Sequence, residues 1–472
     1  MAMWQHELSS HTRIWTLSVD ERQKTAFVKS QRIVPAGPKT GGKVRRMRSR
    51  EMRILVLNGG SSSIKFSVFV SGDDAVTDLP LVVAWEGQLT GIGGGAATLK
   101  ISGAGGAGIG DRERGVKAET LQQAVSLVLE TVSGQSALSI DAIGYRVVHP
   151  GSKLWGHQRI TPEVLQLLEE ANEFAPLHDP EAVMLIRATM QHYPDAAHYA
   201  CFDTAFHRTM PAEAQTYPLP GIYRDSGVHR YGFHGLSCES IVRRMKTAGT
   251  LPPRMVIAHL GSGCSVTALQ DGRSVDTTMG LTPTGGVLMG TRSGDLDPGL
   301  VLYLMRKQTG SRDEAAAAVE TLLNHSSGMS VLSGLANDMR MLREAAANGN
   351  EEALLALKVF TRSITKAVGG FCWLLGGLDA IVFTGGIGEH DAETRREVLA
   401  GISEMGVELD EDTSSVVREV GMQRISSGTS RTAAYVAPAQ EDWMIAIHVT
   451  QMAMADGIGT HTKERLHQEK AL

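Results

Sequence analysis

Apolar residues along this chain follow two rhythms. Short apolar runs read as strands: RILVLN (53–58), IKFSVF (64–69), AIGYRVVH (142–149), AHYACFD (197–203), MVIAHLG (255–261), CSVTAL (264–269) and AIVFTGG (380–386). Three- and four-residue periodicity predicts helices over 118–133, 162–174, 180–192, 299–308, 313–324 and 351–376. In the last of these, Leu357, Phe360, Ile364, Val368, Phe371 and Leu375 mark one face as core. Strands and helices that alternate in this way indicate an α/β protein.

One pattern occurs twice. ILVLNGGSSSIKF (54–66) and VIAHLGSGCSVTA (256–268) both run from an apolar strand through a Gly/Ser turn into a second apolar strand. The repeat implies two related domains, each opening with a hairpin whose turn can face a phosphate. A rival motif fails. GAGGAG (103–108) fits the dinucleotide fingerprint, but no helical pattern follows it, so it reads as a flexible hairpin loop.

Composition narrows the class. With 472 residues, 42% of them hydrophobic, the chain can bury a large core in two or more domains. A net charge of −5 with both signs scattered excludes the basic field of a nucleic-acid binder. The longest apolar stretch, FCWLLGGLDAIVF (371–383), is too short and too broken to span a bilayer. Cys201, Cys238, Cys264 and Cys372 are dispersed without metal spacing, which fits a reducing cytoplasm. Residues 1–51 differ from the rest: GPKTGGKVRRMRSR (37–50) is basic, rich in Gly and Pro, and aperiodic. A disordered extension is expected there, with Met47 or Met52 as an alternative start.

Polar residues at strand ends are the candidate chemistry, because ligands of open α/β sheets bind beyond the carboxyl ends of strands. Asn58 and the serines of 61–63 either cap their own turn or cradle an anion. Arg146, inside an apolar strand, needs an anion, supplied by a ligand or by a structural carboxylate. Arg292, between Gly290 and Gly294, makes the same demand. Asp203 is a helix cap or a functional carboxylate, and His234 a satisfied core histidine or a donor.

Taken in order, the blocks ILVLNGGSSSIKF, YRVVHPG (145–151), APLHDP (175–180), FDTAFH (202–207), YGFHGLS (231–237), HLGSG (259–263), VDTTMGLTP (275–283), MGTRSGDLDPG (289–299) and TGGIGE (384–389) resemble the acetate kinase family from about Arg53 to the 440s. The resemblance implies a duplicated ribonuclease-H-like fold of the actin and sugar-kinase type, with two domains around a nucleotide cleft. Domain I is expected over 52–204, with a C-terminal helix in 440–472 packing back on it, and domain II, which binds nucleotide, over 205–439.

The resemblance also implies reversible transfer of a phosphoryl group from ATP to acetate with Mg²⁺, for which Mn²⁺ can substitute. Asp203, His234 and Arg292 would be catalytic; in the family Asp203 is often given an acid/base role, but a carboxylate nucleophile is already ionised and needs no base, so Asp203 is expected to order the metal instead. Arg146, Val148, Leu177, Phe233 and Pro283 would hold acetate. The nucleotide would meet Ser61, Ser63, Lys65, His259, Leu260, Gly261, Ser262, Gly263, Asp338, Met339, Arg340, Gly385, Gly386, Ile387, Gly388 and Glu389. Asn58 and Glu441 would hold the metal. A cytoplasmic homodimer without nucleic-acid or membrane partners is expected. Pro150, Ser262, Cys238 and Gly285 depart from the family pattern, and Ser262 bears on the identity of the phosphoryl donor. A kinase preferring propionate or another short acid is one alternative and a nucleotide-dependent switch on the same fold another; Arg146 with its apolar pocket argues against the switch.

Overall fold

A computed structural model of the chain describes residues 51–60, 62–71, 81–103, 110–135, 139–174, 179–415 and 421–458. They fall within one unit, Arg48–Leu472. The expected extension, apart from Glu51, lies outside the described residues, as do Ser61, Leu177 and residues 459–472.

The first sheet holds β1 (Arg53–Gly60), β2 (Ser63–Val70), β3 (Val82–Thr90), β4 (Ala97–Gly103), β5 (Arg112–Val116), β6 (Ala142–Val147), β7 (Gln158–Arg159) and β8 (Ala197–Phe202). Their order is β5-β4-β3-β2-β1-β6-β8-β7. The second holds β9 (Arg254–Leu260), β10 (Cys264–Gln270), β11 (Arg273–Thr277), β12 (Ala380–Thr384), β13 (Gln423–Arg424) and β14 (Ala433–Val436), ordered β11-β10-β9-β12-β14-β13. Each contains the same unit. An antiparallel meander of three strands is followed by two parallel ones: β3-β2-β1-β6-β8 in the first sheet and β11-β10-β9-β12-β14 in the second. The repeated motif is thus the opening hairpin of two copies of one fold.

The apolar runs explain the layering. A strand buried on both faces loses its polar alternation, and Ile54, Leu55, Val56 and Leu57 are all fully buried. Leu55 and Leu57 share a core with Val125 and Val128 of the helix Leu121–Gln135. Ile54 and Val56 turn to the other face, against Met444, Ile445 and Val449 of the C-terminal helix Glu441–Ala455. That helix reaches the sheet because Gly144 on β6 has no side chain; a Cβ there would lie 2.6 Å from both Ile445 and Val449.

Under the second sheet, the helix Glu351–Leu374 buries Leu357, Phe360, Ile364 and Val368 against Val256, Val266 and Phe383. Two expected elements end early. The helix begun at Pro162 gives way to a 3₁₀ turn at Ala171. The 380–386 strand stops at Thr384, where Gly385 takes φ +77° and a short helix, Gly385–His390, begins. The strands flanking GAGGAG pair as a hairpin, but residues 104–109 lie outside the described residues. Among the described residues no helix is long and apolar enough to cross a membrane. All four cysteines are free and buried.

Candidate active site

The carboxyl ends of β1, β6 and β8 bring Asn58, Arg146 and Asp203 together, and the first residues of the C-terminal helix add Glu441 and Asp442. The Arg146 guanidinium is the hub. Its Nε donates to both oxygens of Asp203 at 3.1 Å, and its Nη2 also bonds Asp203 Oδ2. Nη1 donates to Asn58 Oδ1 at 3.3 Å, and Glu441 Oε2 lies 3.7 Å from Nε. The anion that Arg146 requires is therefore already present. Asp203 is 1% exposed and Arg146 20%, so the carboxylate is sealed off while the arginine side chain keeps some contact with solvent.

Asn58 Nδ2 donates to Glu441 Oε2 and Asp442 Oδ1, both at 3.3 Å, and Ser67 Oγ donates to Asp442 Oδ2 at 3.0 Å. These bonds fix the amide so that its oxygen faces Arg146. Sequence reading missed Asp442 and Ser67 as partners. The only available signal was the position of Asp442 next to Glu441.

Burial pushes the Asp203 carboxyl up, and the bonded guanidinium opposes that push. Burial acts on Glu441 too, but Arg146, His259 and Lys65 outweigh it and hold this carboxyl below its usual range. Arg146 stays protonated, since Asp203 and Glu441 overcome the desolvation of its charge. Asp442 is raised by burial and then by Glu441.

The second group gathers at the β9–β10 turn. His234 precedes the helix Gly235–Thr247 in a left-handed conformation, φ 58°, rare for a residue with a Cβ. Gly235 follows because a Cβ there would lie 2.2 Å from Asp203 O, to which the Gly235 N–H donates at 2.8 Å. One strained turn thus links Asp203 to His234. The His234 ring stacks on His259, centroids 4.0 Å apart, and its Nδ1 bonds Ser265 Oγ at 2.9 Å. His259 Nδ1 bonds Ser237 Oγ at 2.9 Å.

Burial, helped by the neighbouring His259, drives His234 well below the usual histidine range, and burial pushes His259 down to about 4. Both rings are neutral near pH 7. Arg292 Nη1 donates to Pro283 O at 3.1 Å. At Gly263, the position a Cβ would occupy lies 3.3 Å from Arg292 Nη1 and 3.5 Å from His234 Nε2. Two side-chain nitrogens converge there on one bare stretch of backbone.

Val148 packs against the core cluster that contains Phe233. Lys65 is exposed and stands opposite Asn58 in the β1–β2 register, with Ser63 opposite Gly60 at the turn. The Gly385 turn lies on the second hairpin, where a Cβ would be 2.7 Å from Leu260 O. Glu389 Oε1 accepts from the Ala439 N–H at 3.0 Å, tying this turn to the segment before Glu441. Asp338 caps the helix Met339–Ala347 and pairs with Arg340 of the same turn at 2.8 Å. Among the described residues, no hydrogen bond or ion pair joins Asp338 or Arg340 to the carboxylate cluster.

The model of the acetokinase family matches residues 53–447. An acetate kinase of Halothermothrix orenii is 38% identical over 412 residues, 84% of this chain and 98% of that protein. The crystal structure of Porphyromonas gingivalis acetate kinase superposes with a TM-score of 0.72 at 33% identity, covering 85% of this chain and 99% of that one. A propionate kinase from Francisella tularensis gives a TM-score of 0.75 at 31% identity, covering 85% and 100%.

Proposed function

The chain belongs to the acetokinase family, and on that premise we propose that it is an acetate kinase, moving the γ-phosphoryl group of ATP to acetate, reversibly, to give acetyl phosphate and ADP. The observation that carries this reading is the convergence of Arg292 and His234 on Gly263 beside the Arg146 cluster. A carboxylate nucleophile, with a pKa near ~4 like a side-chain carboxyl, is ionised at neutral pH and needs no base. The demand is instead for charge management in a loose, metaphosphate-like transition state.

Arg146 receives the acetate carboxylate, and Asp203 holds its guanidinium in place. Arg292 and the neutral His234 donate to the phosphoryl oxygens as charge spreads over them. If Ser265 Oγ donates to His234 Nδ1, the ring carries its proton on Nε2, the nitrogen facing Gly263. Asn58 Oδ1 and the Asp203 and Glu441 carboxylates form an all-oxygen donor set, which suits Mg²⁺ and admits Mn²⁺. Such an ion, when bound, neutralises phosphate charge.

The nucleotide lies along the two hairpin turns, with Ser63, Lys65 and His259–Gly263 on its phosphates and Asp338–Arg340 and Gly385–Glu389 beyond. Domain I is 52–204 with the C-terminal helix, and domain II is 205–439. The methyl group of acetate meets Val148, Phe233 and Pro283. An additional methylene there discriminates by only ~1–3 kcal/mol, so propionate is a slower substrate.

A homodimer is supported by exposed apolar residues on two helices: Leu300, Leu302 and Tyr303, and Leu354, Leu355 and Val359. Four buried free thiols fit the cytoplasm. The test is a hydroxamate assay with ATP and Mg²⁺ over acetate, propionate and butyrate, with Arg146→Ala as the blank. Acyl phosphate from acetate that disappears in the variant supports the reading. Nucleotide binding without acyl phosphate from any acid overturns it in favour of a switch.

A further inference from the structure

We propose that a second anion site, for a phosphate-sized oxyanion, occupies the cavity between the loop at 150–155 and the segment 204–215. The cavity measures about 140 Å³ and is lined by Trp155, Arg208, His229 and Arg230 among others, with no carboxylate among the described residues of its wall. This inference is independent of the activity proposed above, because none of these residues belongs to the Arg146 cluster or to the Gly263 turn.

The charges of the wall are poorly matched within the protein. Arg208 has no hydrogen-bond or ion-pair partner among the described residues. Its Nη1 rests over Gly156, only 3.0 Å from where a Cβ would stand, so the missing side chain makes room for the guanidinium. Arg230 is held by carbonyls, donating through Nε to Ala214 O at 3.2 Å. Its Nη1 donates to the carbonyls of Thr277, Thr278 and Met279 at 3.1–3.2 Å. Carbonyls fix a guanidinium but leave its charge in place; Asp276 is the carboxylate that feels it.

His207, also in the wall, adds no charge. Its Nε2–H donates to Phe233 O and its Nδ1 accepts from Ser274 Oγ, both at 2.9 Å, and burial holds it down at about 4. Two guanidinium groups facing a cavity without a carboxylate fit a planar or tetrahedral oxyanion, which can take paired N–H donors. Their combined charge favours a phosphate over a monoanionic carboxylate.

The cavity has a built-in reporter. Trp155 is 59% exposed, and its ring stacks on His229 at 6.4 Å; His229 in turn lies 3.9 Å from Tyr231. An anion seated here changes the surroundings of this indole. The experiment titrates the full chain with inorganic phosphate, follows tryptophan emission, and repeats the series with acetate.

The expected result is a saturable change with phosphate that vanishes in Trp155→Phe. Arg208→Ala should weaken the midpoint about tenfold or more, as expected for loss of a charged donor pair, while turnover without added phosphate is unchanged. Thermal midpoints give a second readout: phosphate should raise that of the wild type more than that of Arg208→Ala. A midpoint identical in the wild type and Arg208→Ala overturns the proposal. A response to acetate alone, or a linear response to both anions, overturns it equally.

Discussion

Arg146 and Asp203 act as one unit, and their separate removal should show it. With Asp203 gone, the guanidinium loses the carboxylate that accepts from both Nε and Nη2 and keeps only Asn58 and the longer contact with Glu441. With Arg146 gone, Asp203 becomes a buried carboxyl without its counterion. Each single alanine variant should therefore lose most of kcat/KM for acetate, and the double variant little more. A coupling of about 1–3 kcal/mol in a double-mutant cycle is the expected outcome; strict additivity would show that Asp203 works apart from the arginine. Arg292 differs, because it meets the phosphoryl group as charge develops. Arg292→Ala should lower kcat by about 10³ or more with a small change in KM, read by steady-state kinetics. At this scale the sequence was informative where an ionisable residue stood in an unusual place, such as Arg146 within a strand; His234 between Phe and Gly read as well as a satisfied core histidine, and only the family resemblance singled it out. It was silent on Ser67, Ser265 and Ser237, since a serine that orients a ring or a carboxylate looks like any other serine. It also did not foretell that the cation at 146 would be bonded to the carboxylate at 203, because pairing across two strands has no local signature.

Among the elements, the C-terminal helix carries the largest functional burden. Its first turn presents Glu441 and Asp442 to Asn58, while Ile445 and Val449 one and two turns on rest against Gly144. The helix can sit at this distance only while residue 144 lacks a side chain. Gly144→Val should push it outward and cost about 1–3 kcal/mol of stability by overpacking. The same shift should move Glu441 away from Asn58 and raise the Mg²⁺ concentration needed for half-maximal rate. Denaturant unfolding and a metal titration together check this; lost stability with unchanged metal dependence would uncouple the two. That a C-terminal helix packs back on this domain was implied by the family resemblance, but the glycine that admits it, inside an apolar strand some 300 positions away, was not singled out from the sequence. Long periodic helices such as 351–374 were readable. Strands β3 to β5 were not, because Gly87, Glu86 and Gln88 blur the alternation in one and β5, almost wholly exposed, has scarcely an apolar face.

For the whole molecule, the buried histidines and one buried acid set the pH of greatest stability. Burial pushes His149 and His157 down to about 3, and His207 and His259 to about 4. In the unfolded chain these groups titrate near ~6.5. Below that pH the unfolded state binds more protons than the native state, so stability is complete above ~6.5 and falls as the pH drops towards 4. Asp179 has the opposite sign. Burial raises it to about 8 against ~3.9 unfolded, so the native state binds the additional proton and stability falls as pH climbs through that window. Four histidines outweigh one acid up to ~6.5; above that pH their contribution is complete and nearly constant, while that of the acid is still being lost. Asp203 and Asp442 share its sign but keep guanidinium, amide or hydroxyl donors, whereas Asp179 Oδ2 has no partner among the described residues. The thermal midpoint should therefore peak near pH 6.5 and decline on both sides. Asp179→Asn keeps the acceptor that receives the His149 N–H and removes the titration, so it should flatten the alkaline limb and leave the acid limb intact. An alkaline decline of equal depth in the variant would move its origin to another group, with the two carboxyls of the active site next in line.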